Sequence, residues 1–197
     1  MEIKTYKLEE EDRYVDFRSY IGGVYFGDPC YVVPGWDDDV DLWDQLCNKM
    51  FVSVTRKHPE TGEETTSREE PFDGKNNIRV VDIHRKMDEP PGRFYMWNTA
   101  YGDGCFPITL NDKLVEKVGV DAGCLSIVPM NLIKKWGKEA DAKSDGYIYE
   151  GPGLHGFLAV EEGDMRWNRW DVLTGDNSQE DDLDEWEEAE YQSSRVW

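Results

Sequence analysis

Apolar residues fall mostly in short runs with a period of two, the spacing of strands that bury one face. YIGGVYF (20–26), CYVV (30–33), FVSVT (51–55), IRVVDIH (78–84), RFYMWNTA (93–100), CLSIVPM (124–130), GFLAVEE (156–162) and MRWNRWDVL (165–173) are rich in β-branched or aromatic residues. Gly, Pro, Asn or Asp bound them, and each predicts a strand. One stretch changes period. In DDDVDLWDQLCNKM (37–50), Val40, Trp43, Cys47 and Met50 recur at helical spacing, with Leu46 beside them. Asp37 to Asp39 are placed to cap its start and Lys49 to complement its end. A shorter helix is predicted in MNLIKKWGKEA, closing near Gly137. This pattern predicts an α+β fold: an antiparallel sheet of about seven or eight short strands packed with one main helix, 37–50.

Two stretches fall outside that alternation. Residues 55–77 are polar and turn-rich, with Pro59, Gly62, Pro71 and Gly74, and read as a hairpin excursion or a mobile loop. After Gly175 the composition becomes acidic: nine acids against one arginine, a net −8 of the chain's −20 that leaves −12 for residues 1–175. The reading is one domain over 1–175 and an acidic tail over 176–197, either disordered or a docked helix.

Composition narrows the functional classes. With 42 acidic residues against 22 basic ones, the chain repels nucleic acid and anionic lipid and favours basic partners. An aromatic content of 13% supports a real core despite a mean hydropathy of −0.73. MEIKTYKLEEEDRY lacks the apolar region of a signal peptide, and no run approaches the roughly 18 apolar residues of a membrane helix. Together with four scattered cysteines, this predicts reduced thiols and a cytoplasmic setting.

Candidate chemistry centres on three echoes: GDPCY, AYGDGC and VDAGC. Asp28 with Cys30, Asp103 with Cys105 and Asp121 with Cys124 pair a carboxylate with a thiol, and convergence of the three would suit Zn²⁺ or another divalent metal. Their spacing matches no standard zinc module. The flanking Gly and Pro also suit plain turns, in which each aspartate binds backbone N–H groups and the cysteines pack as small hydrophobes. His84, on one strand face with Asp82, is the candidate acid–base residue of an enzyme, with Asp103 as a further carboxylate. Phosphate-loop, dinucleotide and hydrolase signatures are absent, and GPGLHGF (151–157) reads as a turn entering a strand. Trp167 and Trp170, three apart in what reads as one strand, are assigned to opposite faces.

In the tail, Leu183, Trp186 and Ala189 form a thin apolar strip at helical spacing. Asp181, Asp182, Asp184, Glu185, Glu187 and Glu188 surround it, a row of carboxylates able to imitate phosphates, with Trp186 as anchor. The trio GDPCYVV, TAYGDG and VDAG followed by IVP resembles a loose set of small uncharacterised phage and bacterial proteins. That resemblance implies a phage-like origin, hence a bacterial host cytoplasm, and no chemistry.

The expectation is a non-enzymatic, cofactor-free protein that engages a basic surface of a nucleic-acid-binding protein and touches neither nucleic acid nor membrane. The alternatives are a metal-dependent or thiol enzyme at the three Asp/Cys loops, and a virion structural or accessory protein.

Overall fold

A computed structural model describes residues 2–35, 41–59, 61–69, 73–84 and 92–175. Its strands are β1 (Glu2–Lys7), β2 (Tyr14–Asp16), β3 (Val24–Gly27), β4 (Val52–Lys57), β5 (Glu64–Glu69), β6 (Arg79–His84) and β7 (Gly92–Asn98). They continue as β8 (Gly104–Leu110), β9 (Lys113–Val120), β10 (Cys124–Pro129), β11 (Gly146–Tyr149), β12 (His155–Glu161), β13 (Asp164–Trp167) and β14 (Trp170–Val172). Four short helices intervene: α1 (Pro29–Val32), α2 (Leu42–Met50), α3 (Met130–Trp136) and α4 (Glu139–Ser144).

The expected single sheet on one main helix is wrong. Among the described residues, fourteen strands form two six-stranded antiparallel sheets and one separate hairpin. Sheet I runs β1-β6-β7-β10-β3-β11, sheet II runs β2-β12-β13-β14-β8-β9, and β4-β5 stand apart. The two sheets face each other. Val80, Tyr95, Trp97 and Ile127 of sheet I bury against Ile108, Leu158, Trp167 and Trp170 of sheet II in one core. Alternate residues of sheet I, among them Tyr25, Val81, Phe94 and Val128, form a second core with Leu42, Leu46 and Ile133 of the helices. Sheet I is thus apolar on both faces at its central strands, which carry buried residues at consecutive positions. Sheet II is apolar on one face only and exposes the other, where Phe157 is 70% and Leu114 57% accessible.

Local chemistry explains further departures. CYVV is part of a helix, not a strand: Asp28 accepts from the Cys30 N–H at 2.8 Å and Pro29 occupies the first turn, so the cap and fixed φ outweigh β propensity. The main helix starts at Leu42, where Asp41 caps it by accepting from the Asp44 N–H at 2.8 Å. The cap expected from Asp37 to Asp39 lies outside the described residues. Buried Leu42, Leu46 and Met50 form its inner face, and Trp43 and Cys47 flank it half-buried. MRWNRWDVL is two strands joined at Asn168, whose φ of +56° turns the chain, so Trp167 and Trp170 are register partners buried on the same face. α3 closes at Gly137, in left-handed conformation at φ +74°.

Candidate functional site

The three echoed loops meet at one end of the sandwich, joined by hydrogen bonds between elements far apart in sequence. Asp28 is fully buried. Its Oδ1 takes the Cys30 N–H, and its Oδ2 accepts from the N–H groups of Asp121 and Ala122 at 2.8 and 2.7 Å. One carboxylate therefore caps α1 and pins the β9–β10 turn. The Tyr31 hydroxyl, from α1, donates to Asp121 Oδ2 at 2.6 Å. Thr99 ties in the second echo: its N–H donates to Gly123 O at 3.1 Å and its hydroxyl to Gly102 O. Gly102 and Gly123, both at positive φ, stack closely enough that a Cβ on Gly123 would lie 3.5 Å from Gly102 Cα.

The same end holds the start of the acidic segment. Ala100 N–H donates to Thr174 Oγ1 at 2.9 Å, and Asp164 Oδ1 accepts from the N–H groups of Thr174 and Gly175 at 2.6 and 2.9 Å. Gly163, at φ +94°, is packed so tightly that a Cβ there would fall 2.3 Å from Ala100 N. Lys75 donates to the Ala100 carbonyl, and Tyr101, 58% exposed, stands at the mouth of an open cleft of about 690 Å³ with Glu162 and Asp164. Exposed Asp103, Asp121, Glu161 and Glu162 rim this end.

The arrangement uses its carboxylates as backbone acceptors. Of the proposed metal set, Asp28, Asp121, Cys30 and Asp103 come to this end, but Asp28 turns both oxygens onto N–H groups. Cys105 is exposed and faces outward on β8, while Cys124 is buried on the helix side of sheet I. Among the described residues, no group of three or more His, Cys, Asp or Glu is placed to hold a metal. Burial, then the charge of Asp28 and its hydrogen bond, push the Cys30 thiol well above its ordinary range, which disfavours the thiolate a nucleophile needs.

Asp82 and His84 lie far from this cluster along β6 and share a face with Tyr6 of β1 and Arg93 of β7. Arg93 grips both Asp82 oxygens, Nε to Oδ1 at 2.7 Å and one terminal nitrogen to Oδ2 at 2.8 Å. The Tyr6 hydroxyl adds a third bond at 3.1 Å. Burial tends to raise the Asp82 pKa, and the Arg93 bonds and charge with the Tyr6 hydroxyl outweigh it and hold the carboxyl below its usual range. Asp82 is thus engaged as the anchor of an ion pair, and His84 follows it half-buried. The structure brings Asp103 nowhere near this pair: it lies with the loops above.

Sequence reasoning missed Tyr31, Thr99, Asp164 and Thr174, which join the loops. Thr99 and Thr174 carry a weak signal, a lone threonine beside the glycines at a strand end. The partner-binding candidates Asp181, Asp182, Asp184, Glu185, Trp186, Glu187 and Glu188 lie outside the described residues. Among the described residues, no helix is long and apolar enough to cross a membrane. Comparison with protein families, with curated proteins and with solved structures gives no match.

Proposed function

We propose that this chain is a non-enzymatic acidic binding protein that engages a basic surface of a nucleic-acid-binding protein, presenting carboxylates where such a partner holds phosphates. The observation that supports it is the placement of charge. The segment 176–197, net −8, leaves from Gly175, whose N–H is bound to Asp164, at the end where exposed Asp103, Asp121, Glu161 and Glu162 stand. The acidic segment of the sequence thus begins next to a rim of exposed carboxylates. Asp181, Asp182, Asp184, Glu185, Glu187 and Glu188 supply the charge in this reading, and Trp186 the apolar anchor. The phage-like resemblance fits an accessory or inhibitory role against a host protein. The use of Asp28 as a backbone clamp, and the raised Cys30 thiol, weigh against the metal or thiol enzyme.

The test is affinity capture from nuclease-treated bacterial lysate, with the native chain and with a variant carrying the six acids as Asn or Gln. The native chain captures a basic nucleic-acid-binding protein that duplex DNA or RNA displaces. Its retention falls steeply with salt, since exposed charges are screened beyond about 10 Å at 0.1 M. Equal capture by the variant, or a partner that nucleic acid does not displace, refutes the proposal.

A further inference from the structure

The outer face of sheet II carries no second layer among the described residues. Its outward side chains stand in rows that the register fixes. One row runs Ala159, Arg166, Asp171, Thr109 and Leu114 across β12, β13, β14, β8 and β9. Two residues along the strands in one direction stand Phe157 and its partner Tyr14 of β2. Two residues the other way stand Glu161 on β12 and Pro107 on β8, the latter paired with Lys117 of β9. Phe157 is 70%, Leu114 57% and Tyr14 49% exposed, and Tyr14 meets Phe157 edge to face at 5.4 Å. The exposed apolar groups thus lie at opposite edges of one face, an arrangement that leaves apolar surface in water at both.

We propose that a second copy of this chain covers this face, sheet II on sheet II, about a two-fold axis parallel to the strands and midway between β13 and β14. Such an axis keeps every row level and exchanges its ends. From the strand order, β13 then lies over β14, β12 over β8 and β2 over β9 of the second copy. Arg166 faces Asp171 of the second copy, and Asp171 faces its Arg166. Leu114 comes down between Tyr14 and Ala159 of the second copy, beside its Phe157, so the apolar groups of the two edges cover one another. Lys117 falls about 4.8 Å, one strand spacing, to the side of Glu161 of the second copy. Each contact occurs twice.

Charge selects this axis over its alternative. A two-fold axis running across the strands turns the rows over, which sets Arg166 on Arg166, Asp171 on Asp171 and Phe157 on Glu161. With the axis parallel to the strands, like charges are apart. The Arg166 side chain is 77% exposed and lies 3.5 Å from Asp171 of its own copy, so the four groups of the two copies alternate in sign around a square. Networks of this kind contribute more than an isolated exposed pair. The face spans about 24 Å from β2 to β9 and about 17 Å along five residues of strand, a flat area of about 400 Å² before side-chain relief. That extent belongs to the small, reversible class of interfaces. Two chains of net −20 repel each other, so the dimer forms where salt screens that repulsion beyond about 8 Å and leaves the close contacts in place. This inference does not rest on the partner reading.

The experiment is sedimentation velocity of the full chain from about 1 μM to about 1 mM at about 0.15 M salt. The native chain passes from monomer to dimer over that range. R166D and D171R each set like charges across the axis and weaken dimerisation about tenfold, because both pairs between the copies change sign. Mixed in equal amounts, the two variants recover it as a heterodimer, since one copy then presents two carboxylates to the two guanidinium groups of the other. Both variants lose the Arg166–Asp171 pair within the copy, so recovery on mixing reports the contact between copies and not the fold of either. A native chain that stays monomeric throughout overturns the proposal, whether hydroxyl-radical footprinting then finds Phe157 covered by its own chain or open to another protein. So does a dimer that R166D leaves unchanged, or a pair of weakened variants that fail to recover on mixing.

Discussion

Replacing Asp28 by Asn changes one heavy atom and tests whether the buried carboxylate holds the loop end together. Asp28 is fully buried and accepts three backbone N–H groups, one from Cys30 and two from Asp121 and Ala122. The best that Asn can do is to turn its carbonyl to the Asp121 and Ala122 pair and its NH₂ to Cys30. The two retained bonds lose their charge assistance, about 1 kcal/mol each, and the Cys30 N–H is left facing a donor at about 1–3 kcal/mol. The sum is roughly 3–5 kcal/mol. With a urea m-value of about 3 kcal/mol/M for a chain of this size, the midpoint falls by about 1 to 1.7 M at unchanged m. Asp121→Asn is the control: its side chain is exposed and, among the described residues, accepts from the Tyr31 hydroxyl, so its cost stays below about 1 kcal/mol. The reasoning fails if D28N lowers the midpoint by under about 0.3 M, or if the two variants cost the same.

Glycine positions at this end separate clash from backbone strain. Gly163→Ala, with its Cβ driven to 2.3 Å from Ala100 N, costs about 3 kcal/mol or more in thermal or urea melts. Gly102→Ala, at φ +87° with nothing within 4 Å, costs only about 1–2 kcal/mol; equal losses contradict the packing described. Asp82 has a depressed folded pKa, so its stabilisation is full above the unfolded value of about 4 and is lost as pH falls through the folded one. The stability gap between native and D82N proteins is therefore flat near neutrality and closes in acid; a gap that widens in acid reverses the sign and refutes the ion pair. Cys30 alkylates with iodoacetamide at pH 8 more slowly than free cysteine, because burial and Asp28 disfavour its thiolate. A rate at or above that of free cysteine restores the nucleophile.

Much of sheet I was legible because its central strands are buried on both faces: CLSIVPM is apolar at every position but Ser126, and IRVVDIH carries four apolar residues that fall on both faces. The hidden strands are those where burial is one-sided or nil. ETTSRE (β5) has no apolar residue to betray it, since its pairing with β4 rests on backbone bonds and cross-strand contacts such as Thr55 with Thr66. EIKTYK (β1) buries Ile3 alone. KLVEKVGV (β9) is broken in pattern by the bulge opposite Ile108 and Thr109. A signal was present before it, since Asn111 and Asp112, both at positive φ, form the tight turn that their residue types favour. Asp-Pro at 28–29 likewise announced a helix start inside an apolar run.

The three echoes show why a motif can be legible and its purpose not. Alternation and turn residues place Asp28, Asp103 and Asp121 at strand ends, and three strand ends on one side of a sandwich converge whether or not chemistry follows. What separates a metal cage from a clamp is the direction of each carboxylate oxygen, which long-range packing sets. Asp28 is directed by two N–H groups more than ninety residues away, and nothing local to GDPCY encodes that. With both oxygens so engaged, recruiting Asp28 to a cation requires breaking charge-assisted bonds to three part-buried N–H groups, at up to about 1–3 kcal/mol for each N–H left unpaired. The fold thus uses the echo to lock three loops together, and the carboxylates left exposed around them are those of Asp103, Asp121, Glu161 and Glu162.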